Sequence, residues 1–198
     1  MYAREAVKRT FERMTGVGRP SSAVLRASVR SRRPQTFLFE ADEEIPNNPV
    51  LPLICYRKAV RLIGAADPAA VLEDLFAQNG WDDSWRNGIY GFAHYHSSTH
   101  EVLGIARGHA RVRFGGENGK VLTLATEDVV VLPAGTGHQC LSSSQDLLVV
   151  GAYPAGGHYD ECTASDHARA PRLDLPLPEC DPVYGPNGPL HELWAGDR

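Results

Sequence analysis

Two histidines separated by a single residue constrain this chain more than any other feature of its sequence. His94 and His96 lie in a stretch, beginning at Gly88, whose pattern predicts a β-strand. Side chains alternate between the two faces of a strand, so both imidazoles point to one side, with Cα atoms roughly 6.5–7 Å apart. Two imidazoles at that spacing can bind one ion through bonds of about 2.0–2.1 Å, and the pattern therefore indicates a metal site.

Two more residues with metal-binding side chains follow at short distances. The carboxylate of Glu101 comes after a short Ser/Thr turn, and His138 comes after the rigid turn Pro133-Ala-Gly-Thr-Gly137. The stretch around these residues, together with the two histidines, is where we expect the chemistry of the protein.

The overall composition restricts the class of protein. With 198 residues, of which 42% are hydrophobic and 22% charged, the chain suits one globular domain. A net charge of −4 argues against general nucleic-acid binding, and no apolar run is long enough for a membrane span. We therefore expect neither a nucleic-acid nor a membrane partner. The four cysteines fit neither a zinc ribbon nor a disulfide scaffold, and no secretory signal is visible, which predicts a cytoplasmic protein with reduced thiols.

The charge is distributed unevenly along the chain. Residues 1–35 carry nine Lys or Arg and two Glu, a net charge of +7, which leaves −11 for the remainder. We interpret residues 1–33 as a basic, loosely ordered extension in which residues 3–14 could form a short helix. Residues 34–198 are predicted to form a single domain.

One helix is predicted clearly before the histidine-rich stretch. Asp67 is a good N-cap, Pro68 suits the first helical position, and the following apolar residues share one face until Gly80 can end the helix. Trp81 and Trp85 come next. We expect these tryptophans to pack at the mouth of a barrel, with stacking on a ligand as the alternative.

Residues 88–153 have the pattern of short antiparallel strands. Apolar and polar residues alternate over 110–114, whereas 129–132 and 147–150 are continuous apolar runs. Many short strands without intervening helices are typical of a sandwich, a jelly roll or a barrel. The Pro/Gly-rich residues 171–198 are predicted to wrap this barrel, or a partner subunit, as an extended tail.

These residues resemble the cupin superfamily. The first cupin motif is Gly, five residues, His-x-His, three or four residues, Glu, six residues and Gly, and it is matched with every spacing kept by Gly88, His94, His96, Glu101 and Gly108. The second motif is matched by Pro133, Gly135 and His138. Glu127 stands where that motif has its glycine, and Ser142 where it has its asparagine. Neither departure affects a ligand.

Residues from about 34 to 194 also resemble the small single-domain bacterial cupins of the YjlB type, which have no assigned reaction. The resemblance implies an all-β fold, the cupin jelly-roll (double-stranded β-helix) barrel, with one short helix on its N-terminal side. The barrel core would span about residues 88–153, followed by the extended Pro/Gly-rich C-terminal tail. A homodimer is also implied.

By this resemblance, His94, His96, Glu101 and His138 are the ligands of one divalent transition metal ion inside the barrel. Three nitrogen ligands and one carboxylate suit Fe, Mn, Ni, Zn or Cu, and the ligand types do not select among them. The alternative is a metal-free barrel in which the histidines pair with Glu101.

Strand parity gives expected positions for four further side chains near these ligands. His100 is adjacent to Glu101 and so points to the opposite face, which indicates a surface histidine or one that supports a ligand. Tyr90 shares the parity of the histidine pair and is, with Glu101, our candidate catalytic residue. Cys140 and Ser142 share the parity of His138 and are expected to line the cavity. Cys140 is interpreted as a small buried residue, with metal ligation or oxidation as alternatives.

Three classes of function remain open. The first is a metal-dependent enzyme acting on a small molecule, an oxygenase or other oxidoreductase, or a related lyase or isomerase. The second is a non-catalytic module that binds or senses a metabolite or a metal. The third is a metal-free, epimerase-like enzyme, which needs a His–Asp dyad for proton transfer. No Asp lies near the motif histidines in sequence, and the substrate is not indicated by any pattern.

Overall fold

Nine strands form two antiparallel sheets in the computed structural model, which describes residues 2–16, 19–166 and 169–195. The first sheet has the order β1-β2-β7-β4-β9-β3 and the second the order β6-β5-β8. The strands are β1 (Gln35–Phe37), β2 (Leu53–Tyr56), β3 (Trp81–Asn87), β4 (Glu101–Arg107), β5 (His109–Phe114), β6 (Lys120–Ala125), β7 (Val129–Leu132), β8 (His138–Ser143) and β9 (Leu148–Pro154). The expected all-β jelly roll is confirmed.

Helices are few and lie outside the two sheets. They are α1 (Tyr2–Thr15), α2 (Ser22–Ser28), α3 (Pro68–Gln78), α4 (Leu190–Ala195) and a single 3-10 turn at Ala164–Asp166. None of the helices in the described ranges combines the length and the apolar character needed to cross a bilayer.

The six-stranded sheet is buried on both faces, which explains its continuous apolar strands. In β7, Val129 and Val131 pack towards α3 and the C-terminal residues, whereas Val130 and Leu132 pack between the two sheets. Alternate residues of the strand thus pack into two different cores. Because both faces of the strand are covered, its sequence is continuously apolar and does not alternate with polar residues.

Helix α3 forms as its sequence predicts. The side chain of Asp67 accepts a hydrogen bond from the backbone N of Ala69 at 3.0 Å, and Pro68 occupies the first helical position. The helix packs on β4 where that strand has Gly104. A Cβ at this glycine would lie 3.0 Å from the side chains of both Leu72 and Phe76, so the missing side chain permits the close approach.

The basic N-terminal segment contains α1 and α2, where we expected a loosely ordered extension with at most one short helix. Glu12 of α1 is 5% exposed and binds the guanidinium of Arg86 in β3 at 3.3 Å, so the helix is attached to the barrel by a buried ion pair. The boundary between residues 33 and 34 as a domain limit stays a prediction.

The C-terminal residues pack across the outer face of the chain's own six-stranded sheet. Asp181 is fully buried and accepts hydrogen bonds from the Tyr56 hydroxyl and from the backbone N of Val183 and Tyr184. Trp194 is 1% exposed and donates from its indole Nε1 to the Pro52 carbonyl at 2.8 Å. These contacts join the end of the chain to β2.

Two local differences from the sequence-based expectations affect the site. The expected strand around the histidine pair is not a regular strand but an extended segment held by isolated bridges, His94 to His138 and Tyr95 to Cys162. Strand β3, which contains both tryptophans, was not foreseen. Trp81 is fully buried in the outer core, and Trp85 lines the cavity described next.

Candidate metal centre

The backbone brings the two cupin motifs together at one end of the barrel. His94 and His138 form an antiparallel bridge with two backbone hydrogen bonds, N–O distances of 3.2 and 2.9 Å. The carbonyl of His96 accepts a further bond from the backbone N of Gly135 at 2.7 Å. Gly135 has φ +92°, a conformation that other residues rarely adopt, so the turn before His138 needs a glycine here.

Glu101 begins β4 directly beside this bridge. Its carboxylate is 2% exposed, and Oε2 lies 3.3 Å from Nε2 of His96 and 3.3 Å from Nε2 of His138. Within the described part of the chain this oxygen has no hydrogen-bond partner. A buried carboxylate oxygen without a partner is costly, and a cation is the simplest group to satisfy it.

The three imidazoles share one tautomer. The Nδ1 atom of each ring contacts a backbone carbonyl, that of Phe92 for His94, of Asp160 for His96 and of Thr136 for His138. A carbonyl oxygen only accepts, so each Nδ1 must carry a proton, and each neutral ring presents a bare Nε2. Backbone carbonyls orient metal-ligating histidines in the same way in known metal sites.

Burial and neighbouring charge set the protonation of these rings. Burial and the nearby His94 and His96 hold the pKa of His138 well below its usual value, and burial and His96 lower the pKa of His94. Burial opposes protonation of His96 too, but the charge of Glu101 outweighs it and raises the pKa of His96. At neutral pH, His94 and His138 are therefore uncharged, the form that binds metals.

The residues present fit a divalent transition metal ion. One nitrogen from each of His94, His96 and His138 lies within 4.8 Å of the other two, and all three rings are buried. The unpartnered oxygen of Glu101 adds a carboxylate on the same side. Three imidazole nitrogens and one carboxylate oxygen are ligands that iron, manganese, nickel, zinc and copper accept.

A cavity of about 510 Å³ opens from these four side chains to the surface. Tyr90, the predicted catalytic residue, lies at its mouth, 45% exposed, with its ring edge against His94 at a centroid distance of 5.1 Å. The cavity wall also contains Trp85, whose Nε1 donates to the Tyr153 hydroxyl at 2.9 Å.

Sequence reasoning missed three residues of the site, Tyr153, Tyr159 and Asp160. Tyr159 packs on the His96 ring at 5.0 Å, and Asp160 accepts hydrogen bonds from both the backbone N and the hydroxyl of Ser97. Tyr153 lies in β9 and the other two residues follow that strand, about sixty positions after the histidine pair. No local sequence pattern connects these residues to the histidine pair. The only sequence signal is Ser97, a hydrogen-bond donor in the loop after His96.

His100 is not a surface residue, which corrects one of our expectations. It points away from Glu101, as the strand parity requires, but it is only 3% exposed and packs on Trp194 at a centroid distance of 4.8 Å. Its Nδ1 accepts a hydrogen bond from the backbone N of Ala134 at 3.0 Å. Burial lowers the pKa of His100 to about 4, so it is a neutral core residue.

The expectation that Cys140 and Ser142 line the cavity is wrong. The pairing of β5 with β8 shifts by one residue between the partners Cys140 and Ser142. Such a bulge reverses which face the following residue occupies, and Ser142 is exposed. Cys140 is half-buried and packs against the core between the sheets.

Comparison with known proteins gives one substantial sequence relative. No protein-family model matches the chain. "Uncharacterized protein YjlB" of Bacillus subtilis strain 168 is 41% identical over 168 residues, which cover 83% of this chain and 98% of that protein.

Similar solved structures share lower identity. An acireductone dioxygenase from Bacillus anthracis, with a cadmium ion in its active centre, is 18% identical over 43% of this chain and 59% of its own, with a TM-score of 0.32. A Bacillus subtilis oxalate decarboxylase mutant is 19% identical over 61% and 29%, with a TM-score of 0.34. A DUF861 protein from Thermotoga maritima is 23% identical over 42% and 86%, with a TM-score of 0.29. TM-scores this low carry no conclusion about the reaction of this chain.

Proposed function

This chain belongs to the cupin superfamily, in the family of YjlB, and on that premise we propose that it is a metal-dependent enzyme acting on a small molecule. The reaction would be that of an oxygenase or other oxidoreductase, or of a related lyase or isomerase. The ligands would be His94, His96, Glu101 and His138, around one ion of iron, manganese, nickel, zinc or copper. The shared tautomer of the three imidazoles, facing a carboxylate oxygen that lacks a partner, carries this proposal.

The protein's own groups would prepare the reacting atoms. A bound ion would supply Lewis-acid or redox chemistry at the base of the cavity. The Tyr153 hydroxyl accepts from Trp85 Nε1, and its own proton is directed to the Glu101 carboxylate. Burial and the nearby charge of Glu101 both raise the pKa of Tyr153, which keeps this hydroxyl a donor at neutral pH. Tyr90, at the mouth, would contact the outer part of a bound substrate and exclude water.

The alternative reading is a non-catalytic cupin that binds or senses a metabolite or a metal in the same cavity. It would retain its ligand without turnover. The metal-free, epimerase-like reading has less support, because the His96 ring contacts the backbone carbonyl of Asp160 and not its carboxylate. That carboxylate is instead engaged by Ser97 and Ser98.

The first test is the metal content of the protein, purified untagged and without chelator. We expect near-stoichiometric metal in the wild type and in His109→Ala, which changes an exposed histidine, and its loss in His96→Ala. Iron would direct activity screening to O₂ uptake, and manganese or nickel to lyase and isomerase reactions. Absence of metal from all three proteins, even after reconstitution, would refute the proposal. Metal retained in His96→Ala would refute the ligand set.

We also propose that the protein is a cytoplasmic homodimer that binds neither nucleic acid nor membranes. The net charge of −4 and the family resemblance support this. Light scattering should give the mass of two 21.6 kDa chains, and a mass of one chain would contradict the proposal.

A further inference from the structure

Aromatic rings flank the histidines of the candidate metal centre on two sides. Tyr90 lies against His94, and Tyr159 lies against His96, with centroid distances of 5.1 and 5.0 Å. Tyr153 extends the second side, with its ring 5.4 Å from that of Tyr159 and 5.9 Å from that of His96. All three tyrosines line the cavity whose base is formed by His94, His96, Glu101 and His138.

Each of these rings is held in place by a second contact. Tyr90 stacks on Phe92 with centroids 4.9 Å apart and an interplanar angle of 16°. The Tyr159 hydroxyl donates to the Glu161 carboxylate at 2.9 Å, and the Tyr153 hydroxyl accepts from Trp85. The walls are therefore pre-organised, which reduces the entropy lost when a ligand binds between them.

Among the residues described as lining the cavity, no lysine or arginine is available to an anion, and the His96 ring already faces the Glu101 carboxylate. Arg86 is one of these residues, but its guanidinium binds the carboxylates of Glu73 at 2.9 Å and Asp67 at 2.7 Å, and its side chain is 2% exposed. The other charged lining residues, Asp83 and Glu101, are acidic. A carboxylate or phosphate group on a substrate would enter without a partner from these walls, at a cost in desolvation.

We propose that the cavity is built for an uncharged, planar aromatic compound that carries oxygen substituents, of the phenol or diol class. The ring would lie between Tyr90 and the Tyr153–Tyr159 side, where aromatic faces and edges attract one another beyond simple burial of area. An oxygen substituent would face the three Nε2 atoms and Glu101. Only the position of the oxygen substituent rests on the proposed function, because recognition of the aromatic ring needs no metal.

Three matched probes test the proposal by calorimetry on chelator-stripped protein. They are 2-naphthol, its saturated analogue decahydro-2-naphthol, and 2-naphthoate, which has the same aromatic system and a negative charge. We expect 2-naphthol to bind about three- to tenfold more tightly than either of the others. Equal affinity for the first two would overturn the aromatic preference, and tighter binding of 2-naphthoate would overturn the preference for an uncharged ligand.

Variants at Tyr159 test whether the preference for an aromatic ligand depends on the tyrosines that line the cavity. This side chain is 51% exposed and outside the core, so its removal leaves folding intact. In Tyr159→Ala, the ratio of affinities for the aromatic and saturated alcohols should fall towards one, while Tyr159→Phe keeps the wild-type ratio. An unchanged ratio in Tyr159→Ala would show that the wall does not recognise the ring.

Metal content, measured on the same preparations before stripping, separates this inference from the proposed function. Protein that holds metal but does not distinguish the two alcohols would overturn the aromatic ligand alone. Protein that prefers 2-naphthol but never holds metal would overturn the metal-dependent function alone.

Discussion

At the scale of single residues, the candidate centre combines three buried imidazoles with one buried carboxylate. Burying an ionised carboxyl group without full hydrogen bonding costs several kcal/mol, and histidines whose Nδ1 atoms already donate to carbonyls cannot donate to it through Nε2 without taking up protons. The site is therefore unfavourable in its empty form and is relieved by a cation. The empty site lowers the stability of the fold, as expected for residues that serve binding and not packing.

Glu101→Gln is predicted to weaken metal binding while preserving the shape of the site. The amide removes the negative charge beside His96 and His138, so the affinity for the ion should fall by at least about tenfold. Competition with a chromophoric chelator measures this. Glu117→Gln, which neutralises an exposed carboxylate, serves as the control and should bind like the wild type. Equal affinities in the two variants would exclude Glu101 as a ligand.

At the scale of elements, Arg86 in β3 joins three separate parts of the chain. Its guanidinium contacts Glu12 of α1, Asp67 at the start of α3 and Glu73 within α3, and the four side chains are almost fully buried. Because β3 also carries Trp85 in the cavity wall, this cluster holds the outer helices against a strand that shapes the site.

Arg86→Met is predicted to lower the free energy of unfolding by about 3–5 kcal/mol. The methionine fills a similar volume but leaves three buried carboxylates without their shared cation. The matched control is Arg172→Met, since Arg172 pairs with Asp174 where both side chains are more than half exposed. That change should cost about 1 kcal/mol or less. Urea denaturation measures both, and similar values for the two variants would contradict the assignment.

The pH dependence of stability isolates the charge of Asp67. Burial raises the pKa of this carboxyl group, but the hydrogen bonds and charge of Arg86 outweigh burial and lower it to about 2. A depressed pKa means that the ionised form stabilises the fold above the unfolded value near 4, and that this contribution is lost as the pH falls towards 2.

Asp67→Asn keeps the helix cap but removes the charge. The variant should be less stable than the wild type by about 2 kcal/mol at pH 7, and this difference should shrink between about pH 4 and pH 2. Chemical denaturation at several pH values measures it. A deficit that stays constant down to pH 2 would mean that the charge of Asp67 does not stabilise the fold.

At the scale of the whole molecule, the jelly roll depends on a second core outside the barrel. Helix α3 and the C-terminal residues cover the outer face of the six-stranded sheet, with Trp194 and Leu190 fully buried there. The continuous apolar strands β7 and β9 require this cover, because their outer side chains would otherwise face water.

Trp194→Ala is predicted to destabilise the protein by about 3–5 kcal/mol, although Trp194 lies far along the chain from the barrel strands. The substitution leaves a cavity beside His100 and removes the hydrogen bond to the Pro52 carbonyl. Thermal or urea unfolding measures the loss. Leu173→Ala, at a side chain that is 58% exposed, is the control and should change stability by at most about 0.5 kcal/mol. Similar losses of stability in the two variants would show that the C-terminal residues do not contribute to the hydrophobic core.

The sequence by itself determined the features that depend on short separations along the chain. The cap of α3 at Asp67, the apolar runs of β7 and β9, and the opposite directions of His100 and Glu101 all follow from helix and strand periodicity. The pattern of short strands left a sandwich, a jelly roll or a barrel open, and the resemblance of the two motifs to those of cupins selected the jelly roll. These are local rules, and local rules can be read from a single sequence.

Only the tertiary structure decided which distant residues share a surface. Trp85, Tyr153 and Tyr159 meet in one cavity wall because β3 pairs with β9 at the edge of the sheet, and no local pattern specifies that pairing. Likewise, the bulge in β8 turned Ser142 outwards, and the packing of Trp194 made His100 a core residue. Contacts of this kind are selected by the packing of the whole chain, which is why the ligand pattern was visible in the sequence and the walls that would select a substrate were not.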